Sequence, residues 1–187
     1  LYDFGTAPTG ASRTFTFTVT NTGAFASSLM AGGGLAAPFG YTGGAYPGTA
    51  GDCAATLAPA ATCNIEVEYA PTTVAVHTDT IDISYNDGSA GQSSVRDLQG
   101  TGVSPALLSI SDGPTYDYGT VATGSSNLRV FTVDNTGGFQ ATAIADALGL
   151  AAPFQFSGGT FPGASGDCSA TLAAGTNCLI EVEYAPT

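Results

Sequence analysis

Apolar and polar residues alternate with a period of two in several short stretches of the chain. Residues 14–20 alternate threonine with Phe15, Phe17 and Val19, and residues 65–69 and 180–184 both read Ile-Glu-Val-Glu-Tyr. Residues 80–85 alternate in the same way. Because successive side chains of a β-strand point to opposite faces, this period predicts half-buried strands. The pattern therefore favours an all-β fold.

The alternation also predicts which side chains face the core. We expect the glutamates of these strands to face water, and their apolar neighbours to be buried. The residues predicted to be exposed are Glu66, Glu68, Glu181 and Glu183. The residues predicted to be buried are Phe15, Phe17, Val19, Val67, Tyr69, Phe131, Val133, Val182 and Tyr184.

One long segment of the sequence occurs twice. Residues 51–72 and 166–187 are identical at 16 of 22 aligned positions, with a constant offset of 115. A Tyr-Asp-aromatic-Gly motif at 2–5 returns at 116–119. Residues 73–103 have no second copy, and residues 104–115 have no counterpart before the first. We therefore predict two modules: residues 1–103, which lack their first strand, and residues 104–187, which lack their last strands.

The four cysteines form two local pairs, one in each copy. Cys53 and Cys63 are ten residues apart, as are Cys168 and Cys178. A zinc site would need closer cysteine spacing or several histidines, and the chain has one histidine. We predict one disulfide within each module. Disulfides indicate an oxidising extracellular or periplasmic compartment.

Composition and charge narrow the classes of partner. The chain has 26 glycines, 43% apolar residues and 10% charged residues, which suits a turn-rich globular protein. Its net charge is −12, with three arginines and no lysine. Such a field repels nucleic acid and anionic lipid, so we expect neither as a partner. No apolar run approaches the ~18 residues of a membrane span, so we expect no insertion into a membrane.

The order of motifs resembles a known domain family. It runs Tyr-Asp-Phe-Gly, an alternating strand ending in Asn-Thr-Gly, Pro-Phe, the cysteine-bracketed Ile-Glu-Val-Glu-Tyr strand, then residues 80–88 and Leu-Gln-Gly-Thr-Gly. This order is similar to that of Hydin-type (ASH) immunoglobulin-like domains, which are akin to major sperm protein. Bacterial tandem versions in surface proteins of the choice-of-anchor D type are most similar. The resemblance implies tandem immunoglobulin-like β-sandwich modules, which are typically binding or spacer modules rather than enzymes.

Candidate catalytic residues are few. A Ser–His–Asp or Cys–His site would have to use His77, which occurs in only one module and which we interpret as a solvated side chain. Glu66 with Glu68, or Glu181 with Glu183, could stand as a glycosidase pair, but an alternating strand exposes such carboxylates in any case. We therefore expect no enzymatic activity.

Calcium is the cofactor that the sequence leaves open. Calcium takes six to eight oxygen ligands. The candidate ligands are Asp79, Asp82, Asp87 and Asp112. No Asp-x-Asp-x-Asp-Gly loop is present, so dispersed surface acids are the preferred interpretation, and no other cofactor is expected.

Two further groups of residues recur in both copies. Short aromatic strands place Tyr41 and Tyr46 in the first copy, and Phe156 and Phe161 in the second, where they could stack on a sugar or pack in the core. Asp52 and Asp167 each precede a cysteine. We expect their carboxylates to accept backbone N–H bonds within a turn.

These features favour a structural role. We expect a spacer module from a secreted or surface-displayed bacterial array, serving as a stalk, fibre or adhesin segment. Its partners would be neighbouring repeats or identical subunits. The alternative is an adhesin domain that recognises a glycan or a protein. The incomplete modules suggest that strands are supplied by neighbouring sequence or by another subunit.

Overall fold

A computed structural model describes residues 1–187, and 45% of them lie in β-strands. The chain contains no α-helix, only short 3₁₀ turns at Thr42–Gly44 and Ser157–Gly159. It divides into two compact units, Leu1–Val103 (unit 1) and Ser104–Thr187 (unit 2). The all-β prediction is confirmed.

Unit 1 contains seven strands arranged in two sheets. They are β1 (Tyr2–Pro8), β2 (Arg13–Thr20), β3 (Ser28–Gly32), β4 (Phe39–Tyr41), β5 (Thr62–Tyr69), β6 (Val76–Asn86) and β7 (Gly91–Val103). One sheet has the order β1-β7-β6-β3, and the other has the order β2-β5-β4. Strand β1 runs parallel to β7, with Tyr2 beside Leu98 and Pro8 beside Val103. All other strand pairs of the unit are antiparallel.

The core of unit 1 lies between its two sheets. Alternate residues of β5 face inward, so Ile65, Val67 and Tyr69 are at most 1% exposed. They meet apolar side chains of the facing sheet, among them Ile81 of β6 and Leu98 of β7. The predicted burial of Val67 and Tyr69 is confirmed, and Phe17 and Val19 pack partly buried against the same core.

Unit 2 contains six strands: β8 (Leu108–Ile110), β9 (Asn127–Asn135), β10 (Ala141–Thr142), β11 (Phe154–Phe156), β12 (Thr171–Leu172) and β13 (Asn177–Tyr184). The main sheet has the order β11-β13-β9-β8, and β10 pairs with β12. Residues 116–119 repeat the sequence of β1 but do not form a strand. In unit 1 the partner of β1 is β7, and unit 2 has no strand of that sequence.

Two burial predictions are wrong. Phe15 is 39% exposed, and its only close cover includes the ring of Tyr2, which stacks on it with ring centroids 4.1 Å apart. Glu181 was predicted to face water but is only 7% exposed, because the loop at residues 162–165 folds over it.

Candidate functional site

The two predicted disulfides are present, Cys53–Cys63 and Cys168–Cys178. All four cysteines are buried, and no free cysteine remains. Each disulfide joins β5 or β13 to the loop segment that precedes it. The disulfides therefore brace a central strand of each unit, and their presence agrees with an oxidising compartment.

Asp52 and Asp167 make the same backbone contact beside these disulfides. Asp52 Oδ1 accepts a hydrogen bond from the Asn64 N–H at 2.6 Å, and Asp167 Oδ1 accepts one from the Leu179 N–H at 2.6 Å. Each contact closes the Gly-Asp-Cys segment onto its strand. The carboxylates accept backbone N–H bonds as predicted, but from the strand twelve residues further on and not from within their own turn.

Glu66 and Glu181 hold the loop that leads into the Gly-Asp-Cys segment. Glu66 Oε2 accepts bonds from Thr42 Oγ1 at 2.5 Å and from the Ala50 N–H at 3.2 Å. Glu181 Oε2 accepts a bond from the Ser165 N–H at 3.1 Å. Both carboxylates therefore have a structural contact with the loop that precedes their disulfide.

Asn21 and Asn135 are a third repeated pair, which the sequence marked only as turn residues. Asn21 Nδ2 donates to the carbonyl oxygens of Phe25 and Leu57 at 2.9 and 2.8 Å. Asn135 Nδ2 donates to Phe139 O at 2.8 Å and to Leu172 O at 3.1 Å. The side chain fastens the turn after β2 or β9 to a distant segment. The Asn-Thr-Gly motif was visible, but its long-range contacts were not.

Of the aromatic candidates, Tyr41 is buried, and Tyr46, Phe156 and Phe161 are half-buried. Tyr41 pairs with Val67 across β4 and β5, so its ring points toward the core, where Tyr46 meets it edge to face with centroids 5.4 Å apart. Phe156 and Phe161 form the same edge-to-face pair at 5.3 Å. Cross-strand partners share a face, and Val67 and Val182 both face inward. The two pairs therefore do not form an exposed sugar-stacking surface.

Burial changes the ionisation of the tyrosine pair. Burial raises the pKa of Tyr41 to about 12, and the nearby Tyr46, Asp79 and Asp82 add to this increase. Burial also raises the pKa of Tyr46. Both hydroxyls are buried without a hydrogen-bond partner. They remain neutral at physiological pH, since burial disfavours the charged phenolate.

The four calcium candidates are not brought together. Both oxygens of Asp79 accept backbone N–H bonds, from Ala36 and Thr80, each at 2.8 Å. Asp82 lies three residues further along the same strand and so on its opposite face.

The remaining two candidates are engaged within turns or by an arginine. Asp87 accepts N–H bonds from Ser89 and Ala90 at 2.8 Å, and these bonds lower its pKa. Asp112 forms an ion pair with Arg129 at 2.7 Å. No three histidine, cysteine or acidic side chains lie close enough together to hold a metal ion.

His77 is not the freely solvated side chain that we predicted. Its Nδ1 lies 2.9 Å from the Tyr69 hydroxyl, and its Nε2 lies 3.0 Å from Thr73 Oγ1. Because Tyr69 is fully buried, the imidazole ties a core residue to the loop before β6. The histidine therefore has a structural contact on each ring nitrogen.

A large open concavity of unit 2 lies on its main sheet. A cavity of about 650 Å³ is lined by Tyr116, Tyr118, Phe131, Phe154 and Val182, among others. In unit 1 the corresponding face is covered by β6 and β7. Phe39 is 4% exposed there, whereas Phe154 at the matching position is 38% exposed.

Comparison with known proteins identifies the class of domain. The model of the HYDIN/CFA65/VesB-like Ig-like domain family matches residues 1–101, just over half of the chain. The chain therefore belongs to this family of immunoglobulin-like domains, and the Hydin-type resemblance is confirmed. No curated protein matches the chain. The structure contains no helix of the length and apolar character that crossing a membrane would require.

Three solved structures show limited similarity. The Vibrio cholerae VesB protease has a TM-score of 0.45 and 19% identity, over 54% of this chain and 29% of that one. The secreted serine protease VesC from Vibrio cholerae has a TM-score of 0.39 and 19% identity, over 98% and 45%. A protein of unknown function from Porphyromonas gingivalis W83 has a TM-score of 0.39 and 12% identity, over 96% and 77%. The chain thus spans less than half of either Vibrio protein.

Proposed function

We propose that this chain is a non-catalytic structural segment of a secreted or surface-displayed bacterial protein, built from tandem immunoglobulin-like modules. One observation carries the proposal: the polar residues that recur in both units bond to their own backbone. Asp52 and Asp167, and likewise Asn21 and Asn135, secure loops and turns. These polar residues, which occur in both units, thus stabilise the fold.

The disulfides support a location outside the reducing cytosol. Each unit carries one disulfide close to its main core strand. Such bonds persist in oxidising compartments, which suits a secreted or surface protein. The motif order further resembles the repeats of choice-of-anchor D surface proteins. We accordingly place the chain in a stalk, fibre or adhesin segment, next to neighbouring repeats or identical subunits.

Charge supports the same class of partner. The net charge of −12 with no lysine disfavours nucleic acid and anionic membranes. The charge also keeps repeated copies of such a module from associating non-specifically, since like-charged surfaces repel one another. Contacts between repeats would then depend on shape and on backbone pairing.

An adhesin domain is the second candidate, and exposed apolar residues favour it. Phe25 and Leu29 of unit 1 are each 75% exposed. Phe25 follows β2 and Leu29 lies in β3, and apolar side chains as exposed as these would gain free energy from burial against a protein or glycan ligand.

The two candidates can be separated with the full chain of 187 residues. We would apply it to arrays of glycans and extracellular-matrix proteins, together with a Phe25→Ser, Leu29→Ser variant. A structural segment should give no saturable signal with either protein. Saturable binding that the double variant loses would establish the adhesin function instead. Turnover of a peptide or glycoside substrate by the purified chain would overturn the non-catalytic assignment.

A further inference from the structure

His77 is the one side chain of the chain whose type changes charge between about pH 5 and pH 8. Its cross-strand partner on β7 is Gly100, and the ring of Tyr69 from the facing sheet packs against that glycine. Cross-strand partners share a face, so the imidazole points inward from β6 toward Tyr69. Unit 2 has no histidine, and only unit 1 contains this contact.

The hydrogen bonds of the imidazole define its neutral form. Nδ1 lies 2.9 Å from the Tyr69 hydroxyl, and Nε2 lies 3.0 Å from Thr73 Oγ1. Tyr69 is 0% exposed, and its hydroxyl has no hydrogen-bond partner besides His77. A neutral imidazole has one donor nitrogen and one acceptor nitrogen. The buried hydroxyl therefore donates to Nδ1, and Nε2–H donates to Thr73.

Protonation of the imidazole removes the acceptor that the Tyr69 hydroxyl needs. Both nitrogens of an imidazolium are donors, so Nδ1 no longer accepts. The hydroxyl oxygen then accepts from Nδ1–H, but its own proton is left without an acceptor in the buried core. A buried donor that loses its partner shifts the equilibrium between the closed and open contact by about tenfold or more.

The charged groups around this contact do not replace the lost bond. Asp3 of β1 lies near the Tyr69 hydroxyl, Asp79 lies two residues from His77 on the same face of β6, and Arg13 pairs with Tyr69 across β2 and β5. The facing positions of β7 are glycines, and residues 70–75 include no ionisable side chain. Both aspartates already accept backbone N–H bonds, and no carboxylate lies within ion-pair distance of the imidazole.

The imidazole also packs against the loop of residues 70–75, which joins β5 to β6. The Gly102 N–H of β7 donates to Ala75 O of this loop at 2.8 Å. A Cβ on Gly102 would lie 2.2 Å from Thr73 O and 3.4 Å from Cε1 of His77. The loop, the imidazole and the end of β7 are therefore packed together, and opening the contact of His77 with Tyr69 weakens the bond between Gly102 and Ala75.

We propose that His77 makes the attachment of this loop, and with it the stability of unit 1, sensitive to acid. The neutral imidazole accepts the Tyr69 hydroxyl proton and holds the loop on β7, and protonation below about pH 6 opens this contact. The stabilisation is present while the imidazole is neutral and is lost as the pH falls. In unit 2 Tyr184 takes the position of Tyr69 without a histidine, so that unit does not respond. This property goes beyond the structural role proposed above and does not depend on it.

Hydrogen exchange of the full chain tests the proposal. The reporter is the Gly102 amide, which is bonded to the loop, and the control is the Asn135 amide of unit 2, which donates to Thr176 O at 2.9 Å. Protection factors correct for the intrinsic effect of pH on exchange. Between pH 7.5 and pH 5.0 the protection factor of Gly102 should fall by about tenfold, and that of Asn135 should stay unchanged.

Three variants identify the group and the bond responsible. His77→Gln carries a side chain that stays neutral at both pH values, so the fall at Gly102 should disappear. Tyr69→Phe removes the hydroxyl but keeps the histidine, so no donor loses its acceptor and the fall should disappear here too. Asp3→Asn changes only a nearby charge and should keep the fall. Melting curves at pH 7.5 show that each variant is folded.

Several outcomes would overturn the proposal. An unchanged protection factor at Gly102 of the wild type would show that protonation leaves the loop attached. An equal fall in His77→Gln would assign the effect to another group, and an equal fall at Asn135 would assign it to the whole chain. A fall that persists in Tyr69→Phe would show that the charge of the imidazolium acts without the hydroxyl. A rise at pH 5.0 would show that the nearby aspartates stabilise the imidazolium.

Discussion

The ring of Tyr69 lies directly against the Cα of Gly100. A Cβ on Gly100 would sit 2.6 Å from Cε1 and Cζ of that ring. Tyr69 is fully buried, and its hydroxyl is bonded to His77 at 2.9 Å, so the ring cannot move aside freely. Gly100 is therefore required for the close approach of the two sheets.

Replacing Gly100 with alanine should lower the free energy of unfolding. Overpacking a filled core costs roughly 1–3 kcal/mol. Gly91→Ala in the same strand is the matched control, since a Cβ there meets nothing within 4 Å. Chemical denaturation of both variants measures the difference, and an equal effect of the two would contradict the packing argument.

Tyr41→Phe should stabilise the protein and should reduce the stability that it loses at alkaline pH. The buried hydroxyl has no partner, so removing it should gain up to about 1 kcal/mol near neutral pH. The folded-state pKa is about 12 against 10.0 for the free side chain. At a pH between these two pKa values, Tyr41 is deprotonated in the unfolded chain but still protonated in the folded chain. The free energy of unfolding therefore falls as the pH rises.

Urea denaturation of the Tyr41→Phe variant at pH 8 and pH 11 tests this pH dependence. Tyr2→Phe, at a half-buried position of β1, is the control. The same alkaline slope in wild type and Tyr41→Phe would show that Tyr41 is not the group responsible.

The two equivalent phenylalanines of the short strands β4 and β11 should differ in their effect on stability. Phe39→Ala should cost about 3–5 kcal/mol, as for a fully buried phenylalanine. Phe154→Ala should cost clearly less, because 38% of the side chain is already exposed. Denaturation of each variant, followed through the backbone amide NMR shifts of each unit, measures both costs in stability. A cost at Phe154 equal to that at Phe39 would mean that the face of unit 2 is covered in solution.

Removing the first disulfide should destabilise unit 1 alone. The Cys53→Ala, Cys63→Ala variant opens an 11-residue loop, and chain entropy gives a cost of about 2.5–3 kcal/mol. The Cys168→Ala, Cys178→Ala variant is the matched change in unit 2.

Non-reducing peptide mapping of the wild type should give Cys53–Cys63 and Cys168–Cys178 peptides, and a Cys53–Cys168 peptide would refute the local pairing.

Local alternation was enough to predict the long strands β2, β5, β6 and β13. Alternation marked residues 14–20 and 80–85, and the structure extends these to Arg13–Thr20 and Val76–Asn86. The parallel pairing of β1 with β7 could not be predicted in this way, because it joins residues about a hundred positions apart and has no turn between them.

The candidate site was harder to predict because its residues act at long range. Alternation placed Glu181 outside, but a loop contact from Ser165 buries it. The aromatic pairs could be read as core or as binding surface until the register of Tyr41 against Val67 was known.

The parallel pairing of β1 with β7 determines how unit 1 responds to a pulling force. A pull on the start of β1 and on the end of β7 acts along both strands in opposite directions. The ladder from Tyr2–Leu98 to Pro8–Val103 is then loaded in shear, so its hydrogen bonds share the force and must break together. Unit 1 therefore resists a force applied between β1 and β7, even though no cross-link joins the two strands.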